Sequence, residues 1–207
     1  MEELGREHGV SAELVDWAIA QRPLPGFAVS GDRGLVRTWS GGVLACAVDG
    51  LGHGSDAAAA AEAALATIEE NVGARVDTLF TRCHEALRKT RGVAMSIASI
   101  RPGDNLMFWL GVGNVEGVLL RPIPRREWMP LRAGVVGYRV PTLHPAAVPI
   151  ARGDVLILVT DGIRHGFTEG LDLRAPPSEV ADHILSRDFR GTDDALVLVA
   201  RYLGAKE

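Results

Sequence analysis

Aspartates recur at the tips of apolar runs in this chain, and their spacing suggests a chemistry. Asp49-Gly50-Leu51-Gly52-His53-Gly54 stands directly after the apolar run Val43 to Val48 and directly before the alanine-rich run Ala57 to Ala66. Such a stretch reads as a buried strand that ends in a carboxylate and turns on glycines into a helix. The device recurs at Val155 to Thr160 followed by Asp161-Gly162, and inverted at Asp193-Asp194 ahead of Ala195 to Ala200. Several acids at one rim, without a matching cluster of lysine or arginine, repel one another unless protonated or neutralised by bound cations. That points to a divalent metal site. Oxygen donors without histidine or cysteine select hard ions, so magnesium or manganese is expected rather than zinc or copper.

The elements that must position these acids follow from the periodicity. Ser11 is expected to cap a short amphipathic helix through about Ala20, ended by Pro23 and Pro25, and Phe27 to Ser30 to begin the first strand, delivering Gly31-Asp32. Two helices follow Asp49, at about Ser55 to Val72 and Val76 to Thr90. In the second, Val76, Leu79, Phe80, Cys83, Ala86 and Leu87 recur at helical spacing, with Asp77, Arg82, Glu85 and Lys89 opposite. Short strands then succeed one another: Val93 to Ile100, Asn105 to Gly111, Val115 to Arg121, Gly134 to Val140 and Val148 to Ile150. Turns such as Pro102-Gly103-Asp104, Gly113-Asn114 and Arg152-Gly153-Asp154 separate them. The strand Val155 to Thr160, a helix of about Ser178 to Arg187 and the strand Ala195 to Tyr202 close the chain. Helices in a block and strands in a meander predict an α+β sandwich of mainly antiparallel sheets. Pairing the last strand antiparallel to its neighbours brings Asp49, Asp161 and Asp193 to one edge, where Asp32 can join them.

Composition narrows the field. With 207 residues the chain suits one domain, taken as residues 1–207 with 1–24 as a helical appendage. A net charge of −4, with basic residues dispersed apart from the turn-like pair Arg125-Arg126, predicts neither nucleic acid nor an anionic membrane surface as partner. The charged start of the chain lacks the apolar core of a secretory signal, and no run approaches the roughly 18 apolar residues that span a bilayer, so a cytoplasmic location is expected. Cys46 and Cys83 then read as small buried hydrophobes. A cysteine-nucleophile phosphatase needs an arginine six positions on, whereas Cys83 is followed by Arg88 and Lys89 at the wrong spacing.

The ordered set Ser30-Gly31-Asp32, Asp49-Gly50-Leu51-Gly52-His53-Gly54, Gly111-Val112-Gly113-Asn114, Thr160-Asp161-Gly162 and Asp193-Asp194 resembles the metal-dependent Ser/Thr protein phosphatases of the PPM type, in their bacterial SpoIIE-like branch. The resemblance runs from Pro25 to Tyr202. Without a fused sensor or kinase-like domain, the chain is most similar within that branch to the feedback phosphatase of the stressosome. The resemblance implies a four-layer α-β-β-α sandwich with two Mn2+ or Mg2+ ions at one end of the sheets. It implies that Asp49 bridges both ions and the Gly50 carbonyl binds one. Asp161 and Asp193 complete the second ion's shell, Asp32 holds the first directly or through water, and Asp194 supports them. Asp49 and Asp161 would act catalytically through metal-bound water, the ions lying about 3.5–4 Å apart, with no side-chain nucleophile. Phosphorylated STAS-domain proteins of a stressosome are the implied substrates.

Two departures from larger relatives stand out. Their proposed general acid, a histidine directly after Asp-Gly, is replaced by Leu51, the histidine coming at His53, and no long insertion provides a lid. Other readings compete with this one. Gly111 to Asn114 reads first as a hairpin turn, and His53, His144 and His165 as surface or core residues. Asp193-Asp194 also suits the start of any strand. A dinucleotide-binding turn at Gly50-Leu51-Gly52-His53-Gly54 lacks its third glycine, because Ser55 stands there, and Asp49 would repel a pyrophosphate. A phosphatase fold that only binds phosphoproteins is the alternative from outside enzymology.

Overall fold

The computed structural model describes residues 5–11, 14–122 and 126–204. Two six-stranded sheets stack face to face. One runs β1 (Gly5–Ser11), β2 (Val15–Arg22), β12 (Ala195–Tyr202), β11 (Val155–Val159), β7 (Glu116–Leu120) and β8 (Arg126–Trp128). The other runs β10 (Ala146–Pro149), β6 (Leu106–Val112), β5 (Val93–Arg101), β4 (Gly42–Gly50) and β3 (Asp32–Trp39). There β9 (Leu131–Arg132) lies parallel to β6, while the neighbours along both sheets pair antiparallel. Helices α1 (Ser55–Glu69) and α2 (Val76–Ala86) cover the second sheet, and α3 (Pro177–Asp188) covers the first.

Three apolar layers hold these two sheets and their two helical covers together. Val36, Ala45, Trp109, Leu158 and Leu198 meet between the sheets. Leu44, Cys46, Ile68, Phe80 and Ile97 meet between α1, α2 and the second sheet, and Ile157, Phe167, Ile184 and Val197 meet under α3. Strand β4 therefore sends Val43, Ala45 and Ala47 to one layer and Leu44, Cys46 and Val48 to another. Burial on both faces is why it reads as an unbroken apolar run. Cys46 and Cys83 are free thiols within the helix-facing layer. Burial pushes the Cys83 thiol up to about 12, the opposite of what a thiolate nucleophile requires.

Three expected elements take another form. The helix expected over Ser11 to Ala20 is the end of β1 and most of β2, which pair as a hairpin. In β2, Val15, Trp17 and Ile19 face the inter-sheet layer while Ala18 and Ala20 face α3. Apolar residues on both faces hide the period of two, and the spacing of Val15 and Ile19 imitates a helical stripe. The segment Phe27 to Ser30 is no strand: the Phe27 N–H closes a turn on the Leu24 carbonyl at 3.0 Å, and the N–H groups of Leu24 and Gly31 on either side go to the Asp194 carboxylate. Residues 134–140 form a turn rather than a strand. It closes through the Val135–Arg139 bridge, touches β5 at Val93–Val136, and offers the Gly137 N–H to Nδ1 of His84 at 3.0 Å. Of the pair Arg125-Arg126, Arg125 lies outside the described residues. Among the described residues no helix is long and apolar enough to cross a membrane.

Candidate metal centre

Antiparallel pairing does most of the gathering. In the β3–β4 ladder Asp32 stands directly opposite Asp49. In the facing sheet, Asp161 follows β11 and Asp193-Asp194 precede β12, which pairs antiparallel with β11, so these acids leave the sheet at the same end. Thr160 stitches the two sheets there. Its hydroxyl donates to Asp32 Oδ2 at 2.7 Å and accepts the Leu196 N–H at 2.8 Å, in a fully buried position.

The two Asp-Gly pairs have a steric reason. A Cβ on Gly50 would stand 2.1 Å from the carbonyl oxygen of Ala57, and one on Gly162 would stand 2.0 Å from that of Asp194. Only glycine lets α1 pack so close to the tip of β4, and the buried row Ala57, Ala58, Ala60, Ala61 and Ala64 continues that approach along the helix. The glycines thus bring backbone against backbone where the carboxylates emerge.

Each acid has a distinct environment. Asp32 is fully buried, and burial followed by the neighbouring Asp49 raises its pKa well above the usual carboxylate range, with the Thr160 hydroxyl acting the other way. Asp49 is pushed up to about 7 by burial, then by Asp161 and Asp193, while the Asn114 amide counters them. Asp193 is raised by burial first, and its Oδ1 accepts the Asp194 N–H at 2.8 Å. His53 lowers it in turn, its exposed ring resting on Phe27 at a centroid distance of 4.4 Å. Asp161 is exposed and accepts from Nδ2 of Asn114 at 2.7 Å. Asp194 is buried with both oxygens engaged, by the N–H groups of Leu24 and Gly31, each at 2.7 Å. It therefore clasps the segment leading into β3, which is a supporting position.

The donor set fits hard divalent cations. Burial and the neighbouring charges, Asp161 among them, raise the proton affinities of Asp32, Asp49 and Asp193, and a cation placed among these acids would relieve both the repulsion and the burial cost. Gly31 is packed tightly beside them: a Cβ there would fall 2.8 Å from Ala57 Cβ, 3.2 Å from Asp194 Oδ2 and 3.4 Å from the Gly50 carbonyl oxygen. Among the described residues no three His, Cys, Asp or Glu side chains are drawn together closely enough to hold an ion as they stand. The acids are electrostatic neighbours rather than a closed cage.

Thr160, Asn114 and Ser30 belong to this centre although their motifs assign them no role. Thr160 ties Asp32 to the opposite sheet, Asn114 holds Asp161, and Ser30 Oγ accepts the Asp32 N–H at 3.0 Å. Ser30 and Thr160 stand within two residues of a motif acid, whereas Asn114 stands in a glycine turn with no motif acid beside it. His144 is exposed and is not among the groups around the acids, and His165 faces Glu116 at 3.5 Å.

The sequence profile of the stage II sporulation protein E (SpoIIE) family matches residues 40–203. The phosphoserine phosphatase RsbX of Bacillus subtilis (strain 168) is 23% identical over 151 residues, which is 73% of this chain and 76% of RsbX. A structure from work on the bacterial stressosome, described as a modular system adapted to control secondary messenger signalling, superposes with a TM-score of 0.83 at 29% identity. It covers 90% of this chain and 99% of its own. Crystalline RsbX in complex with magnesium superposes with a TM-score of 0.82 at 20% identity, covering 97% and 100%.

Proposed function

This chain belongs to the SpoIIE family, and on that premise we propose that it is a metal-dependent phosphoserine/phosphothreonine protein phosphatase, a single domain over residues 1–207. Its substrates in this reading are phosphorylated STAS-domain proteins of a stressosome, whose dephosphorylation resets the signal. The likeness to a phosphoserine phosphatase and to a stressosome structure supports that assignment. The observation that carries it is the meeting of Asp32 and Asp49 from one sheet with Asp161 and Asp193 from the other, all oxygen donors, with burial and mutual repulsion raising the proton affinities of Asp32, Asp49 and Asp193.

In this reading two Mn2+ or Mg2+ ions are held by Asp49, the Gly50 carbonyl, Asp161, Asp193 and Asp32. Such ions, when bound, acidify coordinated water and offset phosphoryl charge. The chain's own residues do the positioning. Thr160 orients Asp32, Asn114 orients Asp161, and Asp194 fixes the approach of Leu24 to Gly31 so that the rim keeps its shape. Asp49, with a proton affinity poised near neutrality, exchanges that proton for a cation at little cost above pH 7.

Manganese-dependent hydrolysis of a generic aryl phosphate, abolished by a chelator, tests the reaction. Incubation with phosphorylated STAS proteins, read site by site for phosphate loss, tests the substrate. The competing reading is a non-catalytic phosphoprotein-binding module. Binding of phosphorylated partners with no turnover in manganese would establish it.

A further inference from the structure

A groove of about 360 Å3 lies beside the acidic centre, lined by Glu116, Gly117, Trp128, Met129, Leu131 and His165. Its inner end shares backbone with the centre. Glu116 pairs with Val159, two residues before Asp161, and follows Asn114, which holds Asp161. His165 comes four residues after Asp161 and faces Glu116 at 3.5 Å. The outer end is marked by Trp128, which is 50% exposed and braced edge-on against Phe167 at 5.7 Å. Trp128 lies on β8, the edge strand of its sheet, opposite Val118 of β7.

A large aromatic held half-exposed and rigid beside a concave apolar surface is the usual anchor of a recognition site. Resting on the phosphatase reading above, the geometry points to this groove as the seat of an apolar side chain of the phosphoprotein substrate, a few residues along the chain from the phosphorylated one. A phosphate at the acidic centre obliges the attached chain to leave along an adjoining surface, and the groove adjoins it directly. Four residues of strand separate the level of Asp161 from that of Trp128, two to Val159 and its partner Glu116 and two more to Val118 and its partner Trp128. With the two inter-strand spacings of about 4.8 Å from β11 across β7 to β8 added, the span is about 17 Å, which an extended peptide at roughly 3.4 Å per residue covers in about five residues. The Glu116 carboxylate at the inner end disfavours acidic residues there, so an apolar side chain suits the groove better than an acidic one.

The test uses alanine-based nonapeptides with a central phosphoserine and a single leucine moved through every other position, hydrolysed in manganese. The readout is the ratio of kcat/KM for each leucine peptide to that of the all-alanine peptide within one protein. Any general loss of competence in a variant cancels in that ratio. The wild type is expected to prefer leucine at one position about four to five residues from the phosphoserine, within side-chain reach of the last position of the peptide, by about fivefold to tenfold. Trp128→Ala is expected to bring that ratio to about one, and Trp128→Phe, which keeps a ring against Phe167, to restore most of it. Equal rates for all peptides, or a preference that survives Trp128→Ala, overturns the inference. Failure to hydrolyse an aryl phosphate in manganese overturns instead the phosphatase reading on which it rests.

Discussion

Asp49 and Asp161 are the residues on which the proposed chemistry turns, and replacing them tests it most directly. Asp49→Asn or Asp161→Asn is expected to lower manganese-dependent aryl phosphatase activity by on the order of 10²–10³-fold or more, read as kcat. Neither substitution should unfold the protein, since each removes one charge from a crowd of like charges. Wild-type turnover in either variant would refute the assignment. The same crowding sets a pH dependence. The Asp49 carboxyl is raised from an ordinary 3.8 to about 7 in the folded chain, so the folded state holds a proton that the unfolded state has released. Stability of the chelator-stripped protein should therefore be greatest at the acid end of that window and fall as pH rises toward 7. Thermal melts across that range check this, and the fall should be smaller in Asp49→Asn. The aspartates themselves were legible in the sequence, because each sits beside glycine or a second acid at the tip of an apolar run. Thr160 and Asn114 were quoted in motifs but not assigned, since a threonine at a strand end carries no mark of the carboxylate it will meet from a distant strand.

At the scale of elements, the glycine turns and the Asp194 clasp decide how the acids are presented. Gly50→Ala would drive a methyl into the carbonyl of Ala57 and push α1 off β4, at a cost of about 1–3 kcal/mol in urea unfolding. Asp194→Ala would leave two N–H groups, of Leu24 and Gly31, without their acceptors. Urea denaturation should record a loss of about 1–3 kcal/mol or somewhat more, since the acceptor is charged. Limited proteolysis should then cut first within the 24–31 segment. Strand β4, helices α1 and α2, and strand β12 were readable because each has one clear period or an unbroken double-sided run. Strand β2 was not. With Val15 and Ile19 facing one layer and Ala18 and Ala20 another, its residues satisfy a helical template as well as an extended one, and only its partners β1 and β12 settle the matter. Strands β8 and β9, of three and two residues, are too short to carry any period.

For the whole molecule, the prediction is linkage between metal and fold. Manganese or magnesium in large excess over its Kd should raise the melting midpoint, since a ligand bound only by the folded state stabilises by about 2.7 kcal/mol at a hundredfold excess. Asp49→Asn should lose most of that increment, and differential scanning fluorimetry with and without chelator measures both. The order of the acids along the chain, the oxygen-only character of the donors and the double-sided burial of the central strands were determined by the sequence alone, because residue type and local period are properties of neighbouring positions. Tertiary structure decided which acids face one another, that Asp194 serves as a clasp, and that Gly5–Ser11 and Val15–Arg22 join a sheet. Those outcomes depend on ladder register and on the packing of two sheets. A strand buried on both faces leaves no trace of either in its own residues.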